Sequence, residues 1–271
     1  MNALKPEKRL AVVSALVEGN SIRSISRMTG VHKTTILRLL TDVGDNCARL
    51  LDERMRGLTC RVIEADEVWS FVRKKQRRLT AEEKLNPELG DQYAYIALDP
   101  DTKLVPVFVV GKRDGMTTFR FVQELRNRLA NRIQMSTDAF RPYVEAVESA
   151  FGADIDYAQL TKVYEAENPG PGRYSPPKVT GVQITEIAGR PEPSKICTSY
   201  VERNNLTIRM QLRRFTRLTN GFSKKLENLK AALALHFAWY NFCRIHSSLR
   251  VTPAMAAGIT DRLWEVKELL D

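Results

Sequence analysis

Long apolar runs are missing from this chain. Nothing approaches the ~18 consecutive apolar residues of a membrane-spanning helix. The longest candidate, AALALHFAWYNF at 231–242, is interrupted by His236 and Asn241, so no membrane association is expected. The opening MNALKPEKRLAVV mixes charges into its apolar residues and is not expected to act as a signal peptide. Cysteine is scarce and dispersed, at Cys47, Cys60, Cys197 and Cys243, with no CxxC pair. That supports neither a zinc ribbon nor a thioredoxin motif and points to buried thiols in a reducing cytoplasm. No internal repeat is present. Acidic charge is also short: 42 Lys and Arg against 32 Asp and Glu leave a net +10. Such a surplus fits a polyanionic partner, nucleic acid above all, and equally a merely basic soluble protein. The hydrophobic fraction, 43%, is that of a protein with a sizeable core, which excludes wholesale disorder.

Residues 5–45 read as three short helices. In KPEKRLAVVSALVEG (5–19), Leu10, Val13, Leu16 and Val17 recur at helical spacing, and Gly19 suits a C-terminal cap. Ser21 is placed to cap SIRSISRMTG, whose Ile22, Ile25 and Met28 share a face, and Gly30 supplies a turn. The third helix starts near His32, turns Ile36, Leu39 and Leu40 inward, and presents Lys33, Thr34, Thr35 and Arg38 outward. Two helices about a glycine turn, the second polar and basic, form the helix-turn-helix pattern, which places such groups in the major groove. A plain helical bundle with a solvated basic face is the alternative. The charged stretch Val43–Gly57 keeps Leu50, Leu51 and Met55 and reads as a connecting helix.

Beyond Cys60 the pattern changes to strands. RVIEADEVWSFVRK (61–74), QYAYIAL (92–98) and LVPVFVVG (104–111) are predicted strands, the last two joined by the turn sequence DPDTK. A helix is expected over 116–131 with Phe119, Val122, Leu125 and Leu129 inward, then a strand at 132–138, a helix at 141–152 and a strand at 154–164. Three strands, helix, strand, helix, strand and final helices make the ribonuclease H-like succession, a mixed sheet flanked by helices. The predicted class is therefore α/β: a small all-α helix-turn-helix domain (1–45), a connecting helix (46–59), a ribonuclease H-like mixed-sheet domain (60–250) and a C-terminal helical segment (251–271). Residues 165–198 carry six of the twelve prolines and read as an insertion loop with a short strand at VQITEI (182–187).

Acids on this skeleton mark a site. Asp66 lies mid-strand in a segment that otherwise looks buried, where a carboxylate is costly unless paired or metal-bound. Asp138 ends the fourth strand, and strand ends line ligand crevices in α/β sheets. Glu202 opens the helix SYVERNNLTIRMQLRRFTRL. Converging carboxylates suit magnesium or manganese, and two such ions can hold a phosphodiester in line for attack by water. Spacing alone leaves other triplets open, because Glu64 and Glu67 flank Asp66; Asp99 and Asp101 fit a turn. Residues 200–230 hold eight basic and two acidic residues, and Arg209, Arg213 and Arg217 recur every four, a stripe suited to DNA phosphates. His236 falls among apolar helix residues and fits a core position; His246 could orient a carboxylate or DNA or cap its turn.

ADEVWSFV (65–72), STDAF (136–140), YVERNNLTIRMQLRRFTRLTNGFSK (200–224) and WYNFCRIHSSLRVTPAMAAGI (239–259) resemble the catalytic and closing blocks of the insertion sequence 1 family of bacterial DDE transposases. The resemblance implies a ribonuclease H-like fold and an Asp66–Asp138–Glu202 triad that is both catalytic and metal-binding, with two Mg2+ or Mn2+ ions. It further implies that Arg209, seven positions after the glutamate, shares a helix face with it and with Asn205. Arg203, Asn205, Arg209 and Arg213 join Lys33, Thr34, Thr35 and Arg38 as expected DNA contacts. The implied activity is metal-dependent cleavage at terminal inverted repeats and strand transfer into target DNA, with double-stranded DNA and at least a second copy of the chain as partners. A transposase-derived DNA-binding regulator without catalysis is the competing reading, and a nuclease lacking strand transfer is another. Some members of that family carry a cysteine-paired zinc finger before the helix-turn-helix, which this sequence does not show, and its closing block reads RIH where RPH is frequent.

Overall fold

Local sequence sets the first three helices of the computed structural model, which describes residues 4–164 and 179–270. Pro6 occupies the first turn of α1 (Pro6–Val17), where its missing N–H costs nothing. Val12, Val13 and Val17 are buried, whereas Leu10 and Leu16 are only half-buried. Ser21 caps α2 (Ile22–Thr29) by accepting from the Ser24 amide at 3.0 Å. Gly30, in the left-handed region at φ +70°, makes the following turn. Met28, expected to share a face with Ile22 and Ile25, is 61% exposed, whereas Ile25 is buried. The third helix and the connecting helix expected over 46–59 are one unbroken element, α3 (Lys33–Arg54), and the chain leaves helix at Met55. Nothing in KTTILRLLTDVGDNCARLLDER breaks the repeat, and Ile36, Leu39, Leu40, Val43, Cys47 and Leu51 form one buried stripe.

The stripe of α3 meets α8 (Leu226–Ala238) at very close range. A Cβ built on Gly44 would lie 2.5 Å from the Ala231 Cα. The glycine is there because the two helix backbones cross too closely for a side chain. Gly44→Ala should therefore destabilise the chain by about 1–3 kcal/mol despite alanine's better helix propensity, an overpacking cost readable as a lower denaturation midpoint.

Through this contact the first three helices share one hydrophobic core with the rest of the chain, running from Val12 to Leu269. The C-terminal segment closes the same core. Of the helical stretch expected over 251–271, only α9 (Pro253–Ala256) and a 3-10 turn at Val266–Leu269 are helical. The remainder folds back so that Arg9 donates to the Leu270 carbonyl at 3.2 Å and Leu269 is buried.

The sheet is six-stranded and mixed, in the order β3-β2-β1-β4-β5-β6. Its strands are β1 (Val62–Val72), β2 (Gly90–Leu98), β3 (Phe108–Gly111), β4 (Ile133–Asp138), β5 (Ile155–Tyr164) and β6 (Val179–Ala188). β1 pairs antiparallel with β2 and parallel with β4; β4 and β5 are parallel, and β5–β6 is antiparallel. This arrangement is consistent with the ribonuclease H-like succession. β3 is shorter than the expected 104–111, because Pro106 offers no amide to a ladder. β6 is longer than VQITEI, and the rest of the insertion at 165–178 lies outside the described residues.

Helices cover both faces. The one-turn α4 (Ala81–Lys84) lies in the β1–β2 connection. α5 (Gly115–Arg126) and α6 (Pro142–Phe151) pack on one face, where Tyr95 meets Phe121 at 5.7 Å and Tyr143 at 6.4 Å between centroids. Phe121, not Phe119, points inward; Phe119 is 46% exposed. α7 (Ser199–Gln211) and α8 cover the other face, with Phe108 of β3 against Phe237 at 4.9 Å. Among the described residues no helix is long and apolar enough to cross a membrane.

Candidate metal centre

Strand register brings the first two acids together. The β1–β4 ladder runs Val62↔Gln134, Ile63↔Met135, Glu64↔Ser136 and ends there. Asp66 and Asp138 each lie two residues further along, so they stand opposite one another on strands whose usual spacing is ~4.8 Å, at the carboxyl end where the ladder opens. Alternation along β1 turns Glu64 and Asp66 toward α7 and Glu67 toward α6. Accordingly, Asn205 of α7 donates to Asp66 Oδ2 at 2.8 Å, while Glu67 sits under α6 with its side chain 2% exposed.

Carboxylate oxygens of Asp66, Glu67 and Asp138 all lie within 4.8 Å of one another, the one such acidic group among the described residues. Glu202 is outside that cluster but lines the same cleft of about 480 Å3, together with Arg113, Arg141, Lys162 and Thr198. Thr198 donates to Glu202 Oε1 at 2.9 Å, and the Lys162 ammonium of β5 is hydrogen-bonded to both Glu202 oxygens. Arg113 bridges Glu67 at 3.0 Å and Asp138 at 3.1 Å. Burial, then the neighbouring Glu67, pushes Asp66 up to about 7. Burial also raises Glu67, opposed by the Tyr143 hydroxyl and by Arg113 beside it. An all-oxygen donor set holding carboxyls that resist ionising fits a hard divalent cation.

Glu64 positions the helix that carries Glu202. It is 1% exposed, and its Oε2 accepts from the first amides of α7, Tyr200 N at 2.8 Å and Val201 N at 2.9 Å. An anion at a helix N-terminus satisfies both the orphan amides and the dipole. Glu64→Leu should leave the buried Val201 amide unpaired, at roughly 1–3 kcal/mol, and the part-buried Tyr200 amide to solvent, measurable by denaturant melts.

The remaining expected contacts distribute unevenly. Lys33, Thr34, Thr35 and Arg38 are exposed on the first turns of α3, and Arg203 is exposed on α7. Asn205, expected to contact DNA, is 3% exposed, and its amide donates to Asp66, orienting that carboxylate. Arg209 is half-buried; burial and then Arg217 lower its pKa, and Asp66 opposes them. Arg213 leaves the expected stripe, because α7 ends at Gln211 and Leu212 is extended at φ −107°, ψ 101°. His236 is 1% exposed, as a core residue would be, and His246 Nδ1 meets Ser248 Oγ at 2.9 Å within its own turn. Asp99 accepts from Asp101 N and Thr102 Oγ1, closing the β2–β3 turn. Arg113 and Lys162 carried no sequence signal, since their roles depend on which strand and loop lie beside β4.

No protein-family model matches the chain, and no curated protein matches it in sequence. Among solved structures it is similar to the Mos1 transposase paired-end complex with the left transposon end, at 14% identity over 55% of this chain and 59% of that one, TM-score 0.20. The Mos1 strand transfer complex is similar at 16% identity, 55% and 57% coverage and TM-score 0.22. The Mos1 mariner paired-end complex with Mn is similar at 11% identity, 55% and 57% coverage and TM-score 0.21. The chain spans less than three fifths of the length of each of these.

Proposed function

We propose that the chain is a DDE-type DNA transposase of the insertion sequence 1 kind, acting in the cytoplasm on double-stranded DNA as a dimer or higher oligomer. One observation carries the reading: Asp66, Asp138 and Glu202, from β1, β4 and α7, line one cleft together with the cations Arg113, Arg141 and Lys162. In this reading the three carboxylates hold two Mg2+ or Mn2+ ions. Bound there, such ions supply the Lewis acidity that activates an oxygen nucleophile and stabilises the leaving oxygen of a phosphodiester.

The chain's own groups do the positioning. Asn205 fixes the Asp66 carboxylate, Thr198 fixes Glu202, and Glu64 anchors the start of α7. Arg141 and Lys162 at the cleft wall suit the phosphates flanking the scissile bond. The exposed Lys33, Thr34, Thr35 and Arg38 of α3 read terminal inverted repeats as a helix-turn-helix, and Arg203 and Arg209 add phosphate contacts.

The test is strand transfer with pre-cleaved transposon-end DNA in magnesium. Joined products support the reading; nicked but never joined products make the chain a nuclease. The Lys162–Glu202 pair favours a second reading, a DNA-binding regulator without catalysis, since it neutralises one of the three acids. End binding with no nicking in manganese would establish that second reading.

A further inference from the structure

Two cations hold the carboxylates of the cleft, and they hold them differently. Arg113 is fixed: its guanidinium bridges Glu67 and Asp138 and lies 3.9 Å from the centre of the Phe140 ring. Lys162 is not. Among the described residues its ammonium bonds to the two Glu202 oxygens and to nothing else. The pair is partly open to water, its side chains 26% and 41% exposed. An ion pair this exposed is usually worth no more than about a fivefold shift in an equilibrium. Lysine is also a point charge on a flexible stem, without the planar, two-pronged fit of arginine.

Strand register sets this lysine beyond the end of β4. The β4–β5 ladder ends at Asp138↔Leu160. β5 runs on to Tyr164 with β6 beside it, Lys162 standing opposite Val182. Lys162 is two residues past Leu160, so it lies about 7 Å further along the strand and on the same face as Asp138. From there the ammonium spans the cleft to Glu202 of α7. Charge then limits what can join it. Asp66, Glu67, Asp138 and Glu202 are offset by Arg113 and Lys162. With all four acids ionised, one divalent ion brings the group to neutrality. That ion has a preassembled place, since oxygens of Asp66, Glu67 and Asp138 already lie within 4.8 Å of one another. A second ion needs Glu202, and it would leave the group positive with Lys162 still in place. A DNA phosphate removes both obstacles, because it brings negative charge and offers the ammonium another partner.

We propose that Lys162 is a placeholder cation that couples DNA binding to the second metal ion. It holds Glu202 until a DNA phosphate takes the ammonium, and Glu202 is then released to the ion. Such a role rests on the two-metal reading of the cleft and states how that site is kept incomplete before DNA arrives. Lys162 is a positioning residue, acting through Glu202. Coupling of this kind is reciprocal, so DNA and the second ion should each strengthen the binding of the other.

The experiment counts Mn2+ bound to the full chain at pH 8, from the electron spin resonance of the free ion, with and without a 20-base-pair duplex of arbitrary sequence at low salt. Uptake by the duplex alone is subtracted. Without DNA, the parent should bind one ion and, more weakly, a second that Glu202→Gln removes. Lys162→Gln should tighten that second ion by about fivefold or more, the worth of the lost ion pair. A lysine that only supports the fold, or only meets phosphate, would leave it unchanged or weaken it. Lys162→Arg, which keeps the charge, should bind the second ion no more tightly than the parent. The duplex should tighten the second ion in the parent by a factor at least about three times larger than in Lys162→Gln. If Lys162→Gln does not fold by circular dichroism, Lys162→Thr replaces it. The proposal is overturned if removing the ammonium leaves the second ion no tighter, or if the duplex acts equally on parent and variant. A parent that binds no Mn2+ overturns the metal centre and the proposal together. The expected Mn2+ binding without nicking or joining of DNA leaves the proposal standing and removes the transposase reading.

Discussion

Asp138→Asn should lower DNA cleavage and joining by at least about 10²–10³-fold, the cost typical of removing one group that stabilises developing charge. Asparagine keeps the size of the side chain and the acceptor that receives the Phe140 amide at 3.0 Å, so the turn after β4 should stand. What it loses is the charge. Asp138 contributes one carboxylate to a cluster whose oxygens lie within 4.8 Å, and such a cluster without full charge holds a divalent ion poorly. Its side chain is 43% exposed, so the protein's melting temperature should change little. Binding to transposon-end DNA should also persist, because the exposed face of α3 is a separate surface. The measurement is nicking of labelled end DNA in manganese, with gel-shift affinity as the control. Cleavage at a near-parental rate would remove Asp138 from the site and the transposase reading with it.

Why Asp138 could be found in the sequence, and others could not, is a matter of distance along the chain. β1, β2, β4 and β5 are read from alternation and β-branched content, which are local, and their order places a strand-end acid at a crevice. The partnership of Asp66 with Asp138 then follows from parallel register. Element ends are less local. α7 stops at Gln211 although its helical repeat continues, because Leu212 and Phe215 are buried in the common core. α3 runs through the expected boundary near 45 because nothing in its sequence breaks the helical repeat; what a local reading lacks is the partner of its buried stripe, α8, almost two hundred positions away. Phe121 displaces Phe119 as the core residue because Tyr95 and Tyr143 converge there. The roles of Glu64, Arg113 and Lys162 were equally out of reach: each acts on an element distant in sequence, and a lone Glu or Lys on a strand carries no mark of what it will face.

Glu202→Gln should abolish cleavage, at least about 10²-fold, whereas Glu67→Gln should reduce it less than tenfold. Both residues compete for the place of third acid. Glu67 is the nearer to Asp66 and Asp138, but Arg113 holds it at 3.0 Å and its side chain is 2% exposed, leaving little room for a phosphodiester. Glu202 is 41% exposed on the open side of the cleft and is held by the ammonium of Lys162 and by Thr198. A divalent ion can displace an ammonium there. The pH dependence supplies an independent check. Asp66 titrates near 7 in the fold against about 3.9 when unfolded. A raised carboxyl stabilises the fold below the unfolded value, and that contribution is lost as pH rises through the folded one. Without metal, Asp66 should therefore pull the melting temperature down between about pH 4 and 7, while His236, kept neutral by burial, pulls it up over much of the same range, so the share of Asp66 is read as the difference between the parent and Asp66→Asn. Metal competes with the Asp66 proton, so the stabilisation by manganese should be larger at pH 8 than at pH 5.5. Glu202→Gln should shrink that manganese-induced rise, while Glu67→Gln should largely keep it. The opposite ranking of the two variants, in both cleavage and melting, would move the metal centre to Asp66, Glu67 and Asp138 and leave Glu202 as a partner of Lys162 alone.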